Sequence, residues 1–157
     1  DGLLIADEVV TGFGRLGTMF GSDHYGIKPD IITIAKGLTS AYAPLSGSIV
    51  SDRMWQVLER GADEFGPIGH GWTYSAHPIG AAAGIANLKL IDDLGLVDNA
   101  RLTGTYFNTA MRKALGGHPK VGEVRVSYPI LVPQEAISRL VDSAAAKANR
   151  MTFCRMT

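Results

Sequence analysis

A single cysteine, Cys154, in 157 residues cannot close an internal disulfide. That excludes the disulfide-stapled secreted class and leads us to expect a reducing compartment, the cytoplasm, with Cys154 a lone thiol. Net charge is absent too: fifteen basic residues balance fifteen acidic ones, so no basic field exists for nucleic acid. No apolar stretch approaches the roughly 18 residues that span a bilayer, and no basic-then-apolar leader pattern is seen. Neither nucleic acid nor membrane is an expected partner. His24, His70, His77 and His118 lack metal-ligand spacing, and no metal is expected. Glycine, in contrast, is plentiful: 19 residues, about 12% against an average near 7%, most of them in prospective loops.

Period and punctuation set the expected elements. Leu3 to Val9 and Asp30 to Ala35 read as buried strands, because short aliphatic runs without alternation suit a sheet covered on both faces. Gly47 to Ser51 reads as a third strand. The segment 11–29 holds too many glycines, plus Pro29, for a useful helix and reads as loop, as does 62–74. Helices are expected over 52–60, closed by Gly61, over 77–93, entered at Pro78 and stopped at Gly95, over 97–115, and over 134–149.

Asp7 ends the first apolar run and Lys36 follows the second. An acid and an amine at neighbouring strand ends suit pyridoxal phosphate, which draws electrons from a substrate carbon into a protonated pyridine ring. Asp7 would keep the ring nitrogen protonated. Lys36 would bond the aldehyde carbon and, once displaced by an incoming amine, carry a proton, a task worth roughly 10²–10⁴-fold in rate. A lysine at a strand end is ordinarily a solvated surface residue. Here it follows an uncharged run and precedes Gly37, which would let a ligand approach closely. A buried Asp7 would need a cation or hydrogen-bond donors, and a pyridinium N–H supplies one. Glu8 would point to the opposite side of the strand and make a structural contact. Thr73 precedes the helix near His77, where a hydroxyl and free N–H groups can hold phosphate. A loop threonine with a local hydrogen bond is the plainer reading. Trp55 and Trp72 read as packing residues, and Arg15 as a loop anchor.

Two other motifs are literally present. Gly12-Phe13-Gly14-Arg15-Leu16-Gly17 matches the dinucleotide fingerprint G-x-G-x-x-G, yet the residues after Gly17 would not continue as the helix that fingerprint needs. Leu3 to Glu8 matches a Walker B strand, but no Gly-Lys dipeptide, and hence no phosphate-cradling loop, occurs in the chain.

The wordings LLIADEVVTGFGR, KPDIITIAKGLTSAYAPLSG and GHGWTYSAHPIGAAAG together resemble the class III (omega) aminotransferases of fold type I, nearest the amine:pyruvate branch. The resemblance runs from Gly2 to about Arg125. It implies an α/β fold, part of a large domain with a mainly parallel sheet covered by helices, and transfer of an amino group from an amine or ω-amino acid to a keto acid such as pyruvate. It carries Lys36 and Asp7 over as catalytic residues and Val9, packed on the cofactor ring, and Thr73 as cofactor contacts. Thr73 would reach the neighbouring subunit's cofactor, so a homodimer is implied. Related aminomutases and decarboxylases share the Asp and Lys.

Residues 1–125 are thus expected to be a partial cofactor-binding domain, ending at the connection to a small domain, and 126–157 a divergent tail. We expect the tail to reflect truncation or a changed reading frame near Val126. The family's phosphate loop, ring-stacking aromatic and substrate-reading arginine cannot be located. The isolated chain is therefore expected to be poorly soluble and inactive, either a remnant or a partner of a full-length subunit.

Overall fold

A computed structural model of the chain describes residues 2–125 and 134–150. Of the expected tail 126–157, residues 126–133 and the terminal MTFCRMT with Cys154 lie outside the described residues. Three strands, β1 (Ile5–Asp7), β2 (Ile31–Ile34) and β3 (Gly47–Val50), form one sheet in that order. Five helices accompany it: α1 (Gly21–Tyr25), α2 (Asp52–Phe65), α3 (Pro78–Asp93), α4 (Leu96–Leu115) and α5 (Gln134–Arg150).

β1 and β2 are parallel, with Ile5 opposite Ile31 and Asp7 opposite Thr33. β3 departs from the mainly parallel expectation and runs antiparallel to β2, Ile34 facing Gly47. The connection between them contains only a 3-10 turn, Lys36–Leu38, and a parallel return ordinarily needs a longer crossover through a helix. Asp30 ties the entry of both parallel strands. Its carboxylate accepts the Leu4 N–H at 2.9 Å and pairs with Arg53 at 2.5 Å, and these donors, the Leu4 N–H first, hold it below the usual carboxylate range.

Several expectations need correction. β1 is shorter than Leu3 to Val9, because the backbone turns away after Asp7. Its apolar residues are not buried: Leu3 is 55% and Ile5 59% exposed. The strand's main packing partner is β2, so both its faces and its outer edge stay open among the described residues. The 11–29 segment is not all loop, since it contains α1. Gly61 does not close α2, which continues to Phe65 and stops at Gly66, where φ is +86°. A helical glycine costs only about 1 kcal/mol, less than four further helical residues can recover.

The core lies beside the sheet rather than over β1. Phe13, Leu38 and Ile91 are buried together, with Phe20, Ile34, Leu45, Leu96 and Val97 packed around them. Loop 11–20 joins this core by close approach to α4: at Gly17, φ +78°, an added Cβ would sit 2.9 Å from Arg101 Cα. Of the apparent dinucleotide fingerprint, Gly14 and Gly17 therefore serve packing against Val97 and Arg101 of α4, Gly12 lies against Glu8 and Phe20, and none opens a helix. α4 packs in turn on α3 and α5, where Tyr106 and Ser138 share a 3.0 Å hydrogen bond. No helix among the described residues is long and apolar enough to cross a membrane.

Candidate active site

Parallel pairing brings Asp7 and Lys36 to the same end of the sheet. Asp7 is the last residue of β1 and lies opposite Thr33 in β2; Lys36 follows three residues beyond Thr33, two past the end of β2 at Ile34. The crevice outside the carboxyl ends of parallel strands is where open α/β sheets bind ligands.

Asp7 is exposed, contrary to the expectation of a buried carboxylate, because nothing described covers that end of β1. Its Oδ1 accepts the Val9 N–H at 3.1 Å and the Thr33 hydroxyl at 3.3 Å. Oδ2 accepts nothing among the described residues and is available to a ligand. Val9 stands in the turn after β1 rather than on the strand, so strand alternation does not place it. Its backbone N–H, bound to Oδ1, does place it against Asp7.

Glu8 is the buried acid of the pair, 2% exposed. It accepts the Gly21 N–H at 2.8 Å, the Ser22 N–H at 2.6 Å and the Thr11 hydroxyl, and so occupies the N-terminus of α1. Burial alone would raise its pKa, but the Thr11 hydroxyl and the Ser22 and Gly21 N–H groups outweigh that and hold it below the ordinary 4.5. Gly21 leaves room for this contact, since a Cβ there would lie 2.8 Å from Thr11 Cβ and 3.0 Å from Glu8 Oε2. The expected structural role of Glu8 is thus an anchor that fixes where the chain leaves β1.

Lys36 opens the 3-10 turn with φ +40°, in the left-handed region that a non-glycine residue seldom adopts. Its side chain is exposed and makes no hydrogen bond or ion pair among the described residues. Gly37 packs edge-on to the core: a Cβ at this position would lie 3.0 Å from Phe13 Cβ. On the other side, Asn87 of α3 hydrogen-bonds the carbonyls of Gly37 and Leu38. Phe13 and Asn87, both decisive for where Lys36 stands, were not picked out by sequence reasoning. Asn87 lies 50 residues from Gly37 and carries no local signal.

Thr73 occupies an exposed turn in which Ser75 N–H reaches the Trp72 carbonyl at 2.9 Å. Its hydroxyl has no partner among the described residues, and no hydrogen bond joins this turn to Asp7 or Lys36. The turn borders a separate open cleft of about 610 Å³, lined by Pro44, Leu45, Ser46, Trp72 and Tyr74 among others. The site residues therefore comprise a pair at the strand ends, with Val9 beside Asp7, and the Thr73 hydroxyl, which no hydrogen bond among the described residues joins to them. The pair fits a pyridine-aldehyde cofactor: a free carboxylate oxygen, a free amine and a residue without a side chain beside it.

The aminotransferase class-III family model matches residues 1–145, and the chain belongs to that family. It is 66% identical over 125 residues to the diaminobutyrate–2-oxoglutarate transaminase of Halomonas elongata, covering 80% of this chain and 27% of that protein. It is 45% identical over 125 residues to gamma-aminobutyrate transaminase 1, mitochondrial, of Oryza sativa subsp. indica, covering 80% and 24%. The chain thus spans about a quarter of the length of these curated relatives. Among solved structures, a transaminase from directed evolution by ancestral reconstruction superposes with a TM-score of 0.90 at 40% identity, over 94% of this chain and 43% of that one. The omega transaminase of Pseudomonas jessenii in complex with PMP gives 0.85 at 28%, over the same shares. Class-III aminotransferases use pyridoxal phosphate, and the fold is part of the fold type I arrangement expected from the sequence.

Proposed function

We propose that the protein carrying this chain transfers an amino group from an amine or ω-amino acid to a keto acid, with Lys36 and Asp7 as its catalytic residues. The observation that carries this reading is the placement of a free amine and a free carboxylate oxygen at the same end of two paired parallel strands, in a class-III aminotransferase. Bound pyridoxal phosphate supplies an electron sink conjugated to the substrate carbon. Asp7, whose Oδ1 is already held by Val9 and Thr33, would hold the proton on the ring nitrogen with its free carboxylate oxygen. Lys36 would hold the cofactor at its aldehyde carbon, and its free amine would serve as the base that moves a proton at the substrate carbon bearing nitrogen. Val9 packs beside the ring. Thr73, which makes no hydrogen bond to this pair, would bind the cofactor phosphate of a second subunit, making the assembly a homodimer with shared sites.

For the donor, the names of the relatives favour a terminal amine such as diaminobutyrate or gamma-aminobutyrate. For the acceptor we adopt 2-oxoglutarate, named for the 66% identical relative; pyruvate, which the wording AYAPLSG favours, is the second reading. The 157-residue chain alone is read as inactive, because the phosphate loop and substrate-reading arginine that the family needs are not found in it.

Lys36→Ala in the full-length protein is the direct test. Borohydride reduction in the presence of pyridoxal phosphate should leave a covalent adduct on the Lys36 peptide of the parent and none in the variant, and amino transfer from diaminobutyrate should disappear. Retention of the parent's visible absorption band by the variant would remove the assignment. Rates with 2-oxoglutarate and pyruvate, compared in the parent, decide the acceptor.

A further inference from the structure

We propose that Asn87 is a positioning residue for Lys36: one side-chain amide that locks the backbone of the lysine turn and thereby aims the amine. The inference rests on the reading that Lys36 carries the cofactor.

The segment from Lys36 to Ala41 is conformationally improbable by itself. Three of its non-glycine residues, Lys36, Ser40 and Ala41, have φ of +40°, +50° and +64°. Such conformations persist only where the surroundings over-determine them. Local bonds contribute: Leu38 N–H to the Ala35 carbonyl at 3.0 Å, Thr39 N–H to the Lys36 carbonyl at 3.3 Å, and the Thr39 hydroxyl to the Ala43 carbonyl at 2.6 Å. Among the described residues, Asn87 is the one side chain of another element that hydrogen-bonds this segment. Its Nδ2 donates to the Gly37 carbonyl at 2.8 Å and the Leu38 carbonyl at 3.2 Å, and its Oδ1 accepts the Ser40 hydroxyl at 2.8 Å.

The chemistry of that set selects an amide. Two carbonyl oxygens require a donor, and the same group must offer an acceptor to a hydroxyl. An aspartate would set a carboxylate oxygen against both carbonyls. Opposite Asn87, Phe13 closes on Gly37, so the turn is held from two sides. The backbone of Lys36 is then fixed, and only its side-chain rotamers remain to be searched before the amine meets an aldehyde, which is the entropic part of a positioned reaction.

The test uses the full-length protein with pyridoxal phosphate, borohydride trapping and mass measurement of the Lys36 peptide, alongside urea unfolding of each variant. Asn87→Asp should lower the apparent affinity for forming the Lys36 adduct at least about tenfold, because the Gly37 and Leu38 carbonyls both lose their donor and each is left as an unsatisfied acceptor. Its ratio to the parent should rise as pH falls toward the carboxyl range, because a protonated aspartate regains one donor. Ser40→Ala, which leaves both carbonyl bonds intact, should change the affinity by about twofold at most, in keeping with an exposed neutral bond. If Asn87→Asp does not fold, Asn87→Ala is read in its place and should still show a loss well beyond that of Ser40→Ala. A folded Asn87 variant that traps as much cofactor at Lys36 as the parent overturns the proposal while leaving the role of Lys36 intact. A parent that gives no Lys36 adduct overturns both, and is recognised without any Asn87 variant.

Discussion

Glu8→Gln isolates the contribution of one buried charge to the frame of the site. In the parent, the Glu8 carboxylate accepts two backbone N–H groups at the start of α1, at 2.8 and 2.6 Å, and the Thr11 hydroxyl. Glutamine keeps the shape but has a single oxygen, so one N–H can still be satisfied while the other faces an amide NH2. A bond to a charged acceptor contributes about 1.5–3 kcal/mol, and a buried donor left unpaired costs about 1–3 kcal/mol, so the variant should lose roughly 2.5–6 kcal/mol. Against a typical domain stability of about 5–15 kcal/mol, that is a large fraction. The pH dependence has a definite sign. The Glu8 carboxyl sits below its ordinary 4.5 in the folded chain, so its stabilisation is complete above that value and is lost as pH falls through the lower folded value. Urea titrations followed by far-ultraviolet circular dichroism, run from neutral pH downward, read both effects; Trp55 and Trp72 are 55% and 76% exposed and would report poorly by fluorescence. Glu8→Gln should unfold at lower urea at pH 7 and show a flatter acid limb than the parent. Equal midpoints at pH 7, or an acid limb as steep as the parent's, would refute the anchor.

Two glycines should respond in opposite directions. Gly37→Ala places a methyl 3.0 Å from Phe13 Cβ and 3.2 Å from Phe13 Cδ2 in the buried core, so it should destabilise by about 1–3 kcal/mol, read as a lower urea midpoint. Gly61→Ala meets nothing within 4 Å and lies inside α2, so it should stabilise by about 0.5–1 kcal/mol, with the midpoint raised and the urea slope unchanged.

What the sequence made legible follows the range of each interaction. α3 and α4 carry their own signals, Pro78 at the first helical position and Gly95 before the next helix, and both stand within a residue or two of expectation. The strands were legible as apolar runs, but their burial was not, because burial depends on what packs against them: Leu3 and Ile5 are apolar and exposed. α1 was hidden since its N-terminal N–H groups are satisfied by Glu8, thirteen and fourteen residues earlier, rather than by a neighbouring cap. The Asp-Lys pair stood out because an acid and an amine are uncommon residue types at the ends of apolar runs. Asn87 did not, since an asparagine inside a helix looks like any polar face until the turn it holds is known.

The parts that fix Asp7 and those that fix Lys36 form one truss. β1 ends at Asp7, and the next residue, Glu8, is pinned to the start of α1. Between them, loop 11–20 carries Phe13 into the core, where it meets Gly37 directly after Lys36. Asn87 grips the same turn from α3, and Ile91, one helical turn further on, packs with Phe13 and Leu38. Phe13 against Gly37 connects the exit of β1 to the exit of β2, while Glu8 and Asn87 brace these two exits from α1 and α3, so the spacing between carboxylate and amine is set by the sheet register and by this core. Loss of one member should therefore displace Lys36 relative to Asp7 without separating the strands. Asn87 and Gly37 variants should accordingly weaken cofactor attachment more than they weaken the parallel pairing of Asp7 with Thr33.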